Sequence, residues 1–193
     1  MYKTIHDVTI GDLQKNATHI HYFGLGFIQV KLGPVYRMHF YTDILPPIID
    51  KEDVHNHRYD FTSHIFYGTF TQELFSPVKG SAYILEEESC KEGYTPDASK
   101  SIICNLEKIS EEEFSVGSSY FISHKTLHRV SAKNAITFLK RSSYKKELAH
   151  VARKQNTPKI CPFSKKIDDK EMIEFMKSNY YDPYIAQYIH PKK

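Results

Sequence analysis

The sequence predicts an all-β protein, built as a sandwich or a barrel. Short segments of alternating apolar and polar residues recur about every 8–12 residues, which is typical of these architectures. The 193 residues include 14 Tyr and 12 Phe, whose rings pack well on pleated strands. Turn-forming residues such as Gly33-Pro34 separate the segments. A chain of this length can form one domain with a full core.

The first forty residues contain one helix candidate and two strand candidates. Residues 10–16 form a short segment that Thr9 could cap as a helix. Strand patterns follow at residues 23–32 and 35–41. The second strand alternates, and it places Arg37 and His39 together on its polar face.

The middle of the chain continues the strand pattern, and its last part changes character. Further strands are predicted at residues 55–67, as one long strand or a pair, and at 69–75, 81–85, 101–106, 119–122 and 136–140. The acidic segment 107–113 is predicted to be a solvated connector. Residues 168–179 have an acidic start and apolar residues three and four apart, which predicts a helix. We therefore divide the chain into a barrel domain, residues 1–150, and a helical extension, residues 151–193, packed on the barrel.

Composition excludes several classes of protein. Hydrophobic content of 40% and charged content of 25% are typical of soluble globular proteins. No apolar run approaches the ~20 residues of a membrane span, so no membrane partner is expected. The three cysteines are scattered and residues 1–7 lack a signal-peptide pattern, so a cytoplasmic location is expected. The net charge of +3 is small and the lysines lie mostly near the C-terminus, so nucleic-acid binding is not expected.

Two histidine clusters carry the candidate chemistry. His55-Asn56-His57 places two imidazoles on the same side of a strand, because side chains repeat with a period of two. His128 follows about seventy residues later. A third imidazole from a distant strand would complete a facial metal site with open coordination positions. The alternatives are solvated loop histidines for the first pair and a hydrogen-bonded core histidine for His128.

These motifs resemble those of the cupin superfamily. His55-Asn56-His57 matches the histidine pair of the first cupin motif, and Gly68 stands where its closing turn glycine belongs. Gly117, with His128 eleven positions later, matches the spacing of the second motif, although the Pro and the inner Gly of that motif are replaced. The resemblance implies a cupin-type double-stranded β-helix, or jelly-roll, barrel with the short helical extension outside it.

One departure from the cupin pattern indicates a particular group within the superfamily. The position of the acidic metal ligand falls on Phe61 or Thr62, and neither is a carboxylate. Asp60 is adjacent, and whether it joins the site stays open. A three-histidine site without the acidic ligand is similar to that of the thiol dioxygenases, such as cysteine dioxygenase. That likeness implies Fe(2+) bound by His55, His57 and His128, with Zn, Ni or Mn as alternatives.

The same resemblance implies roles for the neighbouring residues. Arg37 would pair with a substrate carboxylate, because a planar guanidinium can bind it bidentately; the alternative is a salt bridge on the barrel surface. Tyr120, with Tyr59, would hydrogen-bond to bound oxygen. His64 would orient a ligand or carry protons, although its odd spacing from His57 turns it away in a regular strand.

Three functions follow as hypotheses. The first is a metal-dependent cupin dioxygenase acting on a small polar molecule, with a thiol as one candidate substrate. The second is a cupin isomerase or epimerase of a sugar or sugar nucleotide, with a histidine base and a tyrosine acid. The third is a non-catalytic cupin that binds a small ligand. A homodimer is expected, since cupins often associate through edge strands.

Overall fold

The structure, a computed structural model, describes residues 15–23, 26–41, 54–89, 95 and 97–157. It contains one 3-10 turn, Ala98–Lys100. Its strands are β1 (Ala17–Phe23), β2 (Phe27–Leu32), β3 (Tyr36–Tyr41), β4 (Val54–His55), β5 (Phe61–Glu88), β6 (Ile102–Phe114), β7 (Ser119–Ile122), β8 (Leu127–Arg141) and β9 (Ala149–Lys154). In this part of the chain no helix has the length and apolar character needed to cross a membrane.

The strands form an antiparallel jelly-roll. The sheet runs β1-β2-β3-β8-β4-β9-β5-β6, and β7 pairs with β5. Strand β5 also pairs with β8. The pairings β8–β4, β4–β9, β9–β5 and β5–β8 therefore return to their starting strand, which closes the sheet on itself. This closure brings the short strand β4 against the middle of the barrel wall.

Both faces of the central strands are buried. On one face, Phe40 and Met38 of β3 and Ile136 of β8 are almost fully buried. On the opposite face, Tyr41 and Ala135 belong to a cluster inside the barrel. Because alternate residues of a strand point to opposite faces, β3 and β8 are covered on both sides and form the rigid part of the wall.

The all-β prediction is confirmed, and two details of the strand prediction were wrong. Residues 107–113 are exposed as expected, but they belong to strand β6 rather than to a connector. The strands predicted from residue 61 to residue 85 are one strand, β5. Gly68 does not end it, because the register shifts on both sides of Tyr67 and the strand bulges while it continues. In the sequence, a glycine that occupies a bulge with positive φ cannot be distinguished from a glycine that ends a strand in a turn.

Five predictions stay untested. The helix at residues 168–179 lies outside the described residues, as does most of the helix candidate at 10–16. Strand β9 runs across residue 150, the predicted domain boundary, and completes the barrel. The homodimer and the cytoplasmic location also remain predictions.

Candidate metal centre

Three histidines converge inside the barrel. His55 of β4 is directly opposite His128 of β8 in the strand register. The ligating atoms of His55, His57 and His128 all lie within 4.8 Å of one another. His57 Nε2 is 2.8 Å from His128 Nε2, although the two residues are 71 positions apart in the sequence. The fold therefore builds the cluster that the two motifs predict.

Asn56 explains why the two neighbouring histidines point inward. Its buried side chain turns away from the cluster, and its Oδ1 accepts hydrogen bonds from the backbone N–H of His150 and from Lys146 Nζ, both at 2.7 Å. Its backbone N–H donates to the carbonyl of His150 at 3.0 Å. With Asn56 held against the start of β9, alternation directs His55 and His57 to the opposite side.

The electrostatic environment keeps His57 and His128 neutral. Burial lowers the pKa of His57 well below its ordinary value, and the neighbouring histidines and Arg37 lower it further. Burial and His55 do the same to the pKa of His128. Neutral imidazoles keep the nitrogen lone pair that a metal ion needs.

The cluster fits a divalent metal ion. At 2.8 Å, one of the two facing Nε2 atoms of His57 and His128 must carry a proton that the other accepts. Metal–nitrogen bonds of about 2.1 Å would place two ligating nitrogens roughly 3 Å apart or slightly more, so a small adjustment suffices. His128 Nδ1 is buried and has no hydrogen-bond partner. Three nitrogen donors suit Zn, Fe, Ni or Cu ions better than Mg or Ca.

An aromatic ring stands where the sequence comparison placed an acidic ligand. The ring of Phe61 meets that of His57 edge-on, with centroids 4.9 Å apart, and lies 6.1 Å from that of His128. The ring of Tyr59 lies 5.6 Å from that of His57. In the described part of the chain, the cluster contains three imidazoles and no carboxylate.

Asp60 has a different partner. Its carboxylate accepts the backbone N–H of His124 at 2.7 Å and lies 2.6 Å from His124 Nδ1. These hydrogen bonds lower the pKa of Asp60. Asp60 therefore ties the segment after the first histidine motif to the turn before the second, and this placement does not favour a role as fourth ligand.

The three residues given catalytic roles from the sequence lie at different places. Arg37 is beside the cluster: it donates a hydrogen bond to the hydroxyl of Tyr59 and its charge lowers the pKa of His57. Tyr120 is stacked on Phe70 and is separated from the histidines by Phe61. Burial raises the pKa of Tyr120.

His64 is exposed, whereas Phe61, Ser63 and Ile65 on the same strand are buried. It therefore lies on the face of β5 opposite to Phe61 and to the cluster. Its role in the site stays a prediction that this placement does not favour.

Residues near the site that the sequence did not suggest come mainly from the segment after β8. The ring of Tyr144 lies 5.9 Å from that of Tyr59, and Arg141 packs against both rings. Lys146 holds Asn56. This segment has no periodicity and no motif, so only its run of polar and aromatic residues could have drawn attention to it.

The fold and the site together define an antiparallel jelly-roll protein with a three-histidine cluster that could hold a metal ion. No protein-family model and no curated protein matches the chain. Among solved structures, the X-ray structure of E. coli ycfD is similar with a TM-score of 0.35 and 12% sequence identity. The match covers 79% of this chain and 42% of the ycfD chain, so this chain spans less than half of that structure. A similarity at this level supports no conclusion about the fold or the function of this chain.

Proposed function

We propose that this protein is a metal-dependent dioxygenase of the cupin type, with ferrous iron bound by His55, His57 and His128 and a small polar substrate, such as a thiol. The observation that carries the proposal is the convergence of three imidazoles inside the barrel without a carboxylate among the described residues. A bound iron ion would supply a centre at which the substrate and dioxygen can meet and exchange electrons.

The residues of the chain have distinct tasks in this proposal. Arg37 binds an anionic group of the substrate, and its hydrogen bond to Tyr59 orients the guanidinium beforehand. The rings of Tyr59 and Phe61 flank His57 and exclude water from that side of the cluster. Asn56 and Asp60 hold the two histidine motifs in place through their bonds to His150 and His124.

The pKa values favour this proposal over an isomerase. An isomerase of this fold needs a histidine base whose pKa lies near the working pH. The pKa values of His57 and His128 are lowered well below the ordinary value, so both are weak bases near neutral pH. An isomerase of the kind that needs no metal would also be indifferent to metal chelators, which gives a direct experimental distinction.

The test is metal content, measured by mass spectrometry on protein purified without added metal. We expect near-stoichiometric iron in the wild type and loss of most of it in His57→Ala and in His128→Ala, because each change removes one of three ligands. His64→Ala is the matched control, since this histidine is exposed on the other face of β5. It should retain the metal.

Oxygen consumption with thiols and with the corresponding alcohols then tests the reaction. Iron in the wild type with thiol-dependent oxygen uptake supports the dioxygenase. A wild type without metal, or the same metal content in all four proteins, would remove the proposal. Metal without oxygen uptake on any substrate would leave a binding protein.

A further inference from the structure

Three arginines gather around two tyrosine rings next to the histidines. The guanidinium carbons of Arg58 and Arg141 lie 4.5 and 4.3 Å from the ring centroid of Tyr144. Those of Arg37 and Arg141 lie 4.9 and 5.4 Å from that of Tyr59. We call Arg37, Arg58 and Arg141 the arginine cluster.

The hydrogen bonds of the arginine cluster go to neutral groups. Arg37 donates to the hydroxyl of Tyr59. Arg58 donates to the carbonyl of Glu147 at 3.3 Å and to the hydroxyl of Tyr144 at 3.4 Å. Arg141 donates to the carbonyl of Ser142 at 2.9 Å, and its buried Nε has no partner.

No carboxylate of the described residues neutralises these charges by an ion pair. Asp60 follows Tyr59 directly, but its carboxylate binds His124. The positive surroundings also act on Lys31, whose pKa is lowered by burial and then by the charges of Arg37, Arg58 and Arg141. Like charges at close range destabilise a fold unless an anion binds between them.

The cluster adjoins the candidate metal centre. Tyr59, which Arg37 and Arg141 contact, lies with its ring centroid 5.6 Å from that of His57. Arg141 is opposite Phe61 in the strand register, and Phe61 contacts His57. An anion held by the arginines would therefore lie beside the histidines, and one molecule can reach both.

We propose that the arginine cluster binds a doubly charged oxyanion, a phosphate or a dicarboxylate, that belongs to the substrate of the three-histidine site. Guanidinium groups bind such oxygens with paired hydrogen bonds. Three arginines with no carboxylate partner among the described residues match two negative charges better than one. Tyr144 is 50% exposed, so this end of the cluster is open to solvent. This proposal rests on the proposed function for its substrate, but the anion site can be tested without it.

The experiment is calorimetric titration of the full chain, freed of metal by chelation, with inorganic phosphate, with succinate and with acetate at constant ionic strength and about pH 8, where phosphate carries close to two charges. We expect phosphate or succinate to bind at least about tenfold more tightly than acetate. Whichever of the two binds more tightly identifies the kind of oxyanion.

Variants locate the binding. Arg141→Gln and Arg58→Gln should each weaken the better anion about tenfold or more. Lys140→Gln is the matched control, because Lys140 precedes Arg141 on β8, is exposed and alternates to the other face. It should leave the affinity unchanged. Because Arg58 is exposed, its variant is expected to fold even if Arg141→Gln does not.

The proposal is overturned if neither dianion binds better than acetate, or if Lys140→Gln weakens binding as much as the arginine variants. Metal content and oxygen uptake, measured separately, decide the proposed function. Anion binding without a metal would leave the arginine cluster as a site and remove the dioxygenase. A metal with oxygen uptake but without anion binding would keep the dioxygenase and remove the anion site.

Discussion

Individual polar side chains orient the candidate site. Asn56 sets the direction of His55 and His57 through its bonds to His150 and Lys146. On the neighbouring strands, Gln29 Nε2 donates to His39 Nε2 at 3.1 Å, which requires a neutral His39. Because the contact of Gln29 requires a neutral imidazole at His39, it predicts how the stability of the protein responds to pH.

We expect His39 to make the fold sensitive to acid. Burial, and secondarily Arg37, lowers the pKa of His39 to about 3. The unfolded chain takes up a proton at this residue below its ordinary pKa of 6.5, whereas the folded chain does not. The stability due to neutral His39 is therefore complete above that pH, and it is lost as the pH falls towards 3, at about 1 kcal/mol per pH unit.

Urea unfolding at roughly pH 7, 6 and 5 measures this dependence. His39→Gln should reduce the slope of the free energy of unfolding against pH by about that amount. His64→Gln, at an exposed position, should leave the slope as in the wild type. An unchanged slope in His39→Gln would show that His39 is not the group that titrates.

Strand β5 connects most parts of the barrel, because it pairs with β6, β7, β8 and β9. Its bulge at Gly68 lets one strand serve several partners. Gly68 has φ of 72°, and a Cβ there would lie 2.3 Å from the carbonyl oxygen of Asn134. Gly33, in the turn between β2 and β3, has a similar φ of 69° but open space around it.

These two glycines make a matched pair. Gly33→Ala should cost about 1 kcal/mol, because only the left-handed backbone disfavours a side chain. Gly68→Ala should cost about 3 kcal/mol or more, since the backbone of the neighbouring strand must also move. Denaturant unfolding of both variants gives the difference. Equal losses in the free energy of unfolding of the two variants would mean that the strands at the bulge can move apart without an energetic cost.

At the scale of the molecule, a metal ion would join parts of the chain that are far apart in sequence. His57 and His128 are 71 positions apart in the sequence. His128 lies on β8, and His57 follows β4, which pairs with β8 in the closed circuit of strands. A ligand that binds only the folded state stabilises it in proportion to its concentration and affinity. The proposed metal site should therefore influence global stability.

We expect a divalent metal ion to raise the melting temperature of the metal-free protein. At one hundred times the dissociation constant the gain is about 2.7 kcal/mol, which corresponds to several degrees for a chain of this size. Thermal unfolding with Fe(2+) under anaerobic conditions, and with Zn(2+), measures it. His57→Ala should show little of the shift, and an equal shift in this variant would place the binding elsewhere.

The sequence by itself determined the all-β class and the three histidines. Strand alternation is a local pattern with a period of two residues, so it can be read directly from the sequence. Arg37 and His39 follow this period, and so do His55 and His57. The absence of a carboxylate at Phe61 was also visible in the sequence.

Only the tertiary structure decided what surrounds these residues. The bulge that carries β5 through Gly68, the bond of Asp60 to His124 and the exposure of His64 depend on which strands become neighbours. The arginine cluster is the clearest case, because Arg58 and Arg141 approach each other only when the segment after β8 folds over Tyr59. Local patterns specify the face of a strand on which a side chain lies, but long-range pairing selects the residues it meets.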